Sequence, residues 1–213
     1  DLPAQLGDAH GPPARDIAQT LLDEVVGVEP EDIGDRGPGD AGAGILAAGQ
    51  AVLAQGGSAL DAVTEAVRLL EDCPLFNAGH GAVFTSAGTH ELDAAIMGGA
   101  TLRPGAIAGV HRVRNPVFAA RKVMENSKHV FFVGEGAEAY AKEEGLELVD
   151  PSYFSTEARR EQLLRVQRET PEAAVLDHDG QALVARGQPA PADPLDADKK
   201  FGTVGAVAVD AQG

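Results

Sequence analysis

The residues with the clearest capacity for chemistry are Gly202 and Thr203, which follow a connector rich in Pro, Ala and Asp over about 177–200. An alternating apolar run, Val204 to Val209, comes next and predicts a buried strand. A hydroxyl residue that opens a core strand after such a connector suggests an autoproteolytic precursor. The Thr203 hydroxyl would attack the Gly202 carbonyl, and hydrolysis of the ester would leave Thr203 as a free N-terminus. Its α-amine, with an unperturbed pKa near ~8, would then take the hydroxyl proton. The same pair also fits a strand that simply begins after a loop, so the pair alone leaves both interpretations open.

The composition argues against two classes of partner. With 33 acidic against 17 basic residues the net charge is −16, and no basic stripe is present to meet nucleic acid or an anionic membrane. We therefore expect neither as a partner, and we expect a cytoplasmic protein. The single cysteine, Cys73, rules out an internal disulfide. Its position at a helix end, before Pro74, predicts a small buried side chain rather than a nucleophile.

The elements that must position Thr203 form a mixed pattern of helices and strands. Ser58 and Asp61 have the spacing of a capping box and predict a helix that ends near Asp72, before Pro74. Asn115 and Pro116 predict another helix start. The chain has the length for one domain with a core, and the pattern predicts a mixed α/β fold. The other predicted helices cover 45–55, 134–144 and 155–169; the predicted strands cover 82–85, 90–97, 106–113, a buried 130–133 and the residues from 203 on; a hairpin is predicted at 175–184.

Six stretches, in this order and spacing, point to a known family. They are SALDAVTEAV from Ser58, DCPLFNAG from Asp72, ELDA from Glu91, RNP from Arg114, VGEGA from Val133 and GTVGAV from Gly202. With them the sequence resembles, from about residue 45 onward, the plant-type L-asparaginases or isoaspartyl peptidases of the N-terminal nucleophile hydrolase superfamily.

The resemblance implies a fold, a division of the chain and an activity. The fold would be a four-layer αββα sandwich, incomplete in this chain. Residues 43–202 would form the α-subunit region with a flexible linker at 177–200, and 203–213 the first strand of the β-subunit; 1–42 is unmatched and is predicted to be flexible. The expected reaction is hydrolysis of L-asparagine and of β-aspartyl dipeptides, small-molecule substrates, with no cofactor required. The expected assembly is a homodimer of αβ units.

The resemblance also implies roles for single residues. Thr203 would be the nucleophile, Gly202–Thr203 the cleavage site, and Asn77 a residue that supports autoprocessing, although a turn residue fits Asn77 as well. Backbone carbonyls of the loop after the first capped helix would hold a structural sodium ion, since hard cations prefer oxygen ligands. The carbonyls in question belong to Leu70, Glu71, Cys73, Phe76, Ala78 and His80.

Two alternatives stay open. One is an amidohydrolase of the glycosylasparaginase type, which also opens its β-subunit with threonine. The other is a truncated, inactive pseudo-enzyme, because residues 1–44 contain no match to the family's His-Gly-Gly-Ala-Gly strand. The family's remaining catalytic and substrate-binding residues would follow residue 213, so we expect the 213-residue chain alone to be inactive. His80, His90, Glu91 and Asp93 are expected to be structural.

Overall fold

The computed structural model describes residues 38–169 and 203–213, which form a mixed α/β fold. The predicted hairpin at 175–184, the linker at 177–200 and Gly202 lie outside these residues. None of the helices in the described ranges is long and apolar enough to cross a membrane. In chain order the elements are α1 (Pro38–Ala54), α2 (Ala59–Asp72), β1 (Leu92–Gly98), β2 (Arg103–Val110), α3 (Pro116–Asn126), β3 (Phe131–Val133), α4 (Gly134–Glu143), a 3₁₀ turn (Pro151–Phe154) and α5 (Glu157–Glu169).

Helix α2 begins where its capping residues predict. The Asp61 N–H donates to Ser58 Oγ at 3.1 Å, and the Asp61 carboxylate accepts from the Ser58 N–H at 3.2 Å. The pair satisfies two of the backbone donors that a helix start leaves without partners. The helix ends at Asp72 with Cys73 as its C-cap. The predicted capping box and helix end are therefore confirmed.

Helix α1 starts earlier than the sequence pattern predicts. It covers Pro38–Ala54 rather than 45–55, so residues 38–42 are helical although 1–42 was predicted to be flexible. Pro38 stands at the first helical position, where a residue without an N–H costs no hydrogen bond. Ala41 and Ile45 then bury their side chains against α2 and the loop that follows it. This tertiary contact explains why a Gly- and Asp-containing stretch is helical.

The sheet has three strands in the order β1-β2-β3. β1 and β2 are antiparallel, with Leu92 opposite Val110 and Gly98 opposite Arg103. The register shifts at Asp93, whose Oδ1 accepts from the Gly109 N–H at 2.8 Å, so its structural role is confirmed. β3 runs parallel to β2. β1 and β2 lie at or within three residues of their predicted positions.

Two of the strand predictions that fall within residues 38–169 are wrong. The apolar residues at 82–85 form no strand; the segment packs its Ala82 and Phe84 inward without joining the sheet. The run at 130–133 does form β3, but the strand is exposed rather than buried, with Phe131 at 52% and Val133 at 57% exposure. Because β3 is an edge strand of only three residues, its apolar composition does not require burial on both faces.

Helices α3 and α4 cover the sheet, and α2 packs against α3. The approach of α3 to β2 is close at Gly105, where a Cβ atom would overlap the backbone of Ala120 and Met124. The main core lies between the sheet, these helices and the 3₁₀ turn, and contains the buried residues Ala82, Leu92, Ile107, Val110, Val113, Ala119, Val123, Ala137, Ala141 and Phe154.

Candidate active site

The loop after α2 is wound tightly around two glycines. Gly79 has φ +44° and Gly81 has φ +131°, a region that L side chains rarely adopt. A Cβ at Gly79 would overlap the Glu71 carbonyl, and one at Gly81 would overlap the carbonyls of Pro74 and Phe76. The Glu71 carbonyl at the helix end therefore lies close against Gly79, and the Pro74 and Phe76 carbonyls of the loop lie close against Gly81.

Two of the six carbonyls predicted as sodium ligands are among these close contacts. They are those of Glu71, at Gly79, and Phe76, at Gly81, and carbonyl oxygens suit a hard cation. The Glu71 carbonyl also accepts from the His80 N–H at 2.7 Å, which uses one of its two lone pairs. Within the described ranges no group of three or more His, Cys, Asp or Glu residues could hold a metal ion. A cation at this loop would thus depend on backbone oxygens.

Asn77 lies in the middle of the loop. Its Oδ1 accepts from the Val83 N–H at 2.9 Å, which ties the loop to the segment that follows. Both residues line a cavity of about 810 Å³ between the loop, α2, β1 and the segment that contains Thr203. Asn77 therefore has a turn role and also faces the cavity that Thr203 faces.

The segment after the predicted cleavage site forms no strand over 203–210, contrary to the prediction of a buried strand. Its side chains alternate in burial. Val204 and Ala206 pack against the cluster that α1, α2 and the loop form, whereas Val207 is 97% and Val209 71% exposed. Thr203 belongs to the exposed set. The period of two places Thr203 on the side opposite the core contacts.

The cavity brings together residues from distant parts of the chain. Thr203 to Ala208 line one side, the loop 77–79 and Glu71 another, and Glu91 and Asp93 belong to the β1 side. Of the residues predicted to carry function, the structure thus joins Thr203, Asn77, Glu71 and Ala78 at one site. The family resemblance identifies these residues, Glu71 only through its backbone carbonyl. It assigns no role to the Glu71 carboxyl group.

The Glu71 carboxyl is buried within the apolar surroundings of α2, with only 3% of the residue exposed. Its Oε1 accepts from the Val117 N–H at the start of α3, at 2.9 Å, while its Oε2 has no hydrogen-bond partner among the described residues. Burial raises the pKa of Glu71 to about 8, partly offset by the Val117 N–H. No local spacing in the sequence indicates this buried acid, because its burial follows from the packing of the start of α3 against the end of α2.

We expect Glu71→Gln to stabilise the protein at high pH. The folded-state pKa, about 8, exceeds the ordinary value of 4.5, so the folded chain holds an extra proton between these values and wild-type stability falls as the pH rises through that window. Glutamine keeps an oxygen for Val117 and does not ionise. Urea unfolding should show a gain of about 3–5 kcal/mol at pH 9 and less than about 1 kcal/mol at pH 5.

The exposed Glu91 on the same cavity wall provides the matched control. Glu91→Gln replaces a carboxylate that is exposed in the folded chain, so we expect its unfolding curves to follow those of wild type at both pH values. Equal gains for the two variants, or a Glu71→Gln gain that does not grow with pH, would contradict the account of a buried neutral acid.

The remaining chemistry-bearing residues near the loop have structural partners. His90 is buried, with Nδ1 at 3.1 Å from the Val83 carbonyl and Nε2 at 3.0 Å from Ser155 Oγ, and burial lowers its pKa. The His80 ring contacts the Tyr153 carbonyl through Nδ1. Burial raises the pKa of the Cys73 thiol, which makes a thiolate nucleophile unfavourable. The structural roles expected for these residues are confirmed.

The Asn115 side chain acts differently from the prediction. Helix α3 begins after it, at Pro116, but the Asn115 side chain makes no cap hydrogen bond. Its Nδ2 instead donates to Asp72 Oδ1 at 3.1 Å, at the end of α2. The buried Glu71 carboxyl group, whose Oε1 accepts from the Val117 N–H, takes the place of the cap. The start of α3 is thus stabilised by the end of α2, across 46 residues of sequence.

The fold and the cavity define a mixed α/β protein that presents a threonine, on an extended segment, beside a loop wound around two glycines. The chain belongs to the asparaginase family, whose model matches residues 40–213. This finding confirms the family resemblance that the six sequence stretches indicated.

Individual relatives are similar over large parts of the chain. An isoaspartyl peptidase of Escherichia coli is 57% identical over 169 residues, which cover 79% of this chain and 48% of the relative. A plant-type L-asparaginase of Pyrococcus furiosus is 51% identical over 122 residues, 57% of this chain and 39% of the relative. An isoaspartyl peptidase/L-asparaginase of Danio rerio is 39% identical over 166 residues, 78% of this chain and 47% of the relative. The chain thus spans about half the length, or less, of these relatives.

Proposed function

We propose that this chain is part of an amidohydrolase that uses Thr203 as an N-terminal nucleophile on L-asparagine and β-aspartyl dipeptides. The observation that carries the proposal is the position of Thr203. It lies on the exposed side of an extended segment and lines the same cavity as Asn77 of the family-specific loop. The relatives named isoaspartyl peptidase and L-asparaginase supply the substrate class.

The first step of the proposal is the break of the Gly202–Thr203 bond. Thr203 Oγ adds to the Gly202 carbonyl carbon, the peptide nitrogen leaves as the Thr203 α-amine, and an ester links the two residues. Water then hydrolyses the ester and returns the hydroxyl to Thr203. Before this break the Thr203 nitrogen is an amide and cannot act as a base, so activity depends on self-cleavage.

The second step is substrate turnover. The free α-amine of Thr203 takes the proton from Oγ, which attacks the side-chain amide carbon of asparagine or of a β-aspartyl peptide. The amine or ammonia leaves with a proton, and water releases aspartate from the acyl-enzyme. Hydrogen-bond donors that stabilise the tetrahedral oxyanion typically contribute ~100-fold or more to the rate. Asn77 supports the first step from the loop side of the cavity.

Several parts of the proposal rest on the family alone. They are the four-layer αββα sandwich, a homodimer of αβ units, a cytoplasmic location, and the division of the chain at residue 202. No cofactor takes part in the proposed steps. A sodium ion held by the carbonyls of residues 70–80 would stabilise the loop and would not form or break bonds. The carbonyls of Glu71 and Phe76, which lie close against Gly79 and Gly81, support this part of the proposal.

The proposal is tested by assaying two proteins side by side, the product of the complete reading frame and the 213-residue chain. We expect the product of the complete reading frame to release ammonia from asparagine and leucine from β-Asp-Leu. We expect turnover by the 213-residue chain to be at least ~100-fold lower, because a missing oxyanion donor alone has an effect of that size.

Glycosylasparagine is assayed in parallel because it separates the alternatives. Faster turnover of glycosylasparagine than of the two other substrates would favour the glycosylasparaginase type. No turnover of any substrate by the product of the complete reading frame would favour an inactive pseudo-enzyme. Clear turnover of asparagine by the 213-residue chain would overturn the expectation that this chain alone is inactive.

A further inference from the structure

The segment that contains Thr203 is attached to α2 by a hydrogen bond that no step above uses. Asp210 Oδ2 accepts from the Ala59 N–H at 2.8 Å, across 151 residues of sequence. Asp210 Oδ1 also accepts from the Gln212 N–H at 2.9 Å, so the carboxylate is oriented from both sides. A carboxylate at the first N–H of a helix is favoured by the unpaired backbone donors and the positive end of the helix dipole.

The capping box of α2 leaves this donor available. Ser58 and Asp61 satisfy one another's backbone N–H groups, whereas the N–H of Ala59, the first helical residue, receives no partner from the box. The Asp210 carboxylate fills this position, and the hydrogen bond to Ala59 lowers the pKa of Asp210. Asp210, 151 residues away in sequence, therefore supplies the acceptor that the first N–H group of α2 does not find within the helix.

The contact also bears on which way the Thr203 side chain faces. The segment is extended from Thr203 to Asp210, and its side chains alternate between the core, at Val204 and Ala206, and the opposite side. A slip by one residue would exchange the two sides and turn Thr203 toward the core. The side chains of Val and Ala are too similar to prevent such a slip by themselves. The Asp210 carboxylate can prevent it, because it must meet one particular N–H.

We propose that Asp210 is a positioning residue that holds the register of the Thr203 segment through its hydrogen bond to Ala59. The inference rests on the proposed function for its catalytic consequence. Once the Gly202–Thr203 bond is broken, the covalent link to residues 1–202 is lost, and contacts such as this one must keep the nucleophile at the cavity. Asp210 lies seven residues from Thr203, roughly 23 Å along an extended chain, and does not touch the reacting atoms.

The hydrogen bond can be removed from either side. Asp210→Ala removes the acceptor. Ala59→Pro removes the donor, and proline is well tolerated at the first position of a helix. Ser58, with φ −76° and ψ 161°, already has the extended conformation that a residue before proline adopts. Gln212→Ala is the matched control, because its backbone N–H and the Asp210 contact are retained.

The first measurement is the rate at which the intact mass of the full chain is lost by the break before Thr203. We expect Asp210→Ala and Ala59→Pro each to slow the break about three- to tenfold, a range appropriate to a partly solvated, charge-assisted hydrogen bond. Asp210→Asn, which keeps an oxygen acceptor, should lie between these variants and wild type. Gln212→Ala should match wild type in rate and in urea midpoint, and the midpoints of Asp210→Ala and Ala59→Pro should fall only by the modest amount expected for the loss of one hydrogen bond.

The double variant separates a specific contact from general damage. If the two residues act through one hydrogen bond, Asp210→Ala combined with Ala59→Pro should be no slower than the slower single variant. Multiplied effects in the double variant, or a rate for Asp210→Ala equal to that of Gln212→Ala, would overturn the proposal.

A second measurement does not depend on self-cleavage. In uncut chains that carry Thr203→Ala, hydrogen exchange at the Ala59 amide should be slow with Asp210 and at least about tenfold faster with Asp210→Ala. If exchange at Ala59 does not change with Asp210→Ala, the proposed role of Asp210 is overturned. If wild type shows no break before Thr203 while this exchange depends on Asp210, the role of Asp210 stands and the proposed function fails.

Discussion

Replacing Thr203 by alanine should leave the Gly202–Thr203 bond intact and remove all turnover of asparagine and β-Asp-Leu. The variant lacks the Oγ atom that attacks Gly202, and without the break no free α-amine forms at residue 203. Mass spectrometry should find the full chain of the variant unchanged over time, whereas wild type should divide into 1–202 and a fragment that begins at residue 203. Because Thr203 is exposed and the loss of its methyl and hydroxyl groups opens no core cavity, we expect stability to change by less than about 0.5 kcal/mol.

Thr203→Ser distinguishes the hydroxyl group from the position. Serine retains Oγ and the capacity for a free amine, so this variant should still cleave and turn over substrate, at a lower rate than wild type. A Thr203→Ala chain that breaks at the same bond would exclude Thr203 as the attacking group. The scheme would also be contradicted if the product of the complete reading frame turned over substrate while its mass stayed that of the uncut chain. Turnover would then not require the break.

Replacing Gly105 by alanine should cause the largest loss of stability among single methyl additions in the described part of the sheet. A Cβ at this position of β2 would overlap the Ala120 carbonyl and the Met124 N–H of α3, which are backbone atoms and cannot rotate away. The strand and the helix would have to separate, and overpacking of this kind lowers the free energy of unfolding by roughly 2–4 kcal/mol. Urea unfolding at one pH measures the effect.

Gly136→Ala adds the same methyl group to α4 as a control. A Cβ there meets no heavy atom within 4 Å, and Gly136 is exposed in a helix. Alanine is the better helix former, so we expect the control to be neutral or more stable by up to ~1 kcal/mol. A Gly105→Ala variant as stable as this control would mean that β2 and α3 are not in the close contact described above.

The helices were predictable where local chemistry decides them. Ser58 and Asp61 cap α2 through groups three residues apart, and Pro116 starts α3 because its ring suits the first helical position. Both signals act within one turn of chain. The start of α1 was not predictable in this way, because its first turns depend on packing of Ala41 and Ile45 against other elements.

The strands show the limit of local pattern. The short apolar runs at 82–85, 130–133 and 203–210 suggest buried strands equally well, yet the first packs inward outside the sheet, the second is an exposed edge and the third is extended without strand pairing. Strand pairing joins residues that are distant in sequence, so a run of apolar residues indicates an extended chain without identifying its partner.

The candidate site also has features that the sequence specifies and one that it does not. The residue types of Thr203 and Asn77, and the order of the six family stretches, are properties of the sequence, and they were sufficient to identify the family that the comparison with known proteins confirmed. The cavity that Thr203 and Asn77 share is not such a property. It exists because α2, its following loop and β1 enclose a space beside the Thr203 segment.

The family, the candidate nucleophile and the capped helices follow from the amino-acid sequence alone, because each depends on residue identity or on groups within one helical turn. Three features appear only in the folded chain: the Glu71 carboxyl is buried against Val117, Asp210 accepts from Ala59, and Thr203 lies on the side away from the core. These contacts join residues 46 and 151 positions apart. Burial and hydrogen bonding at that separation follow from how the elements pack, which no local spacing of residues specifies.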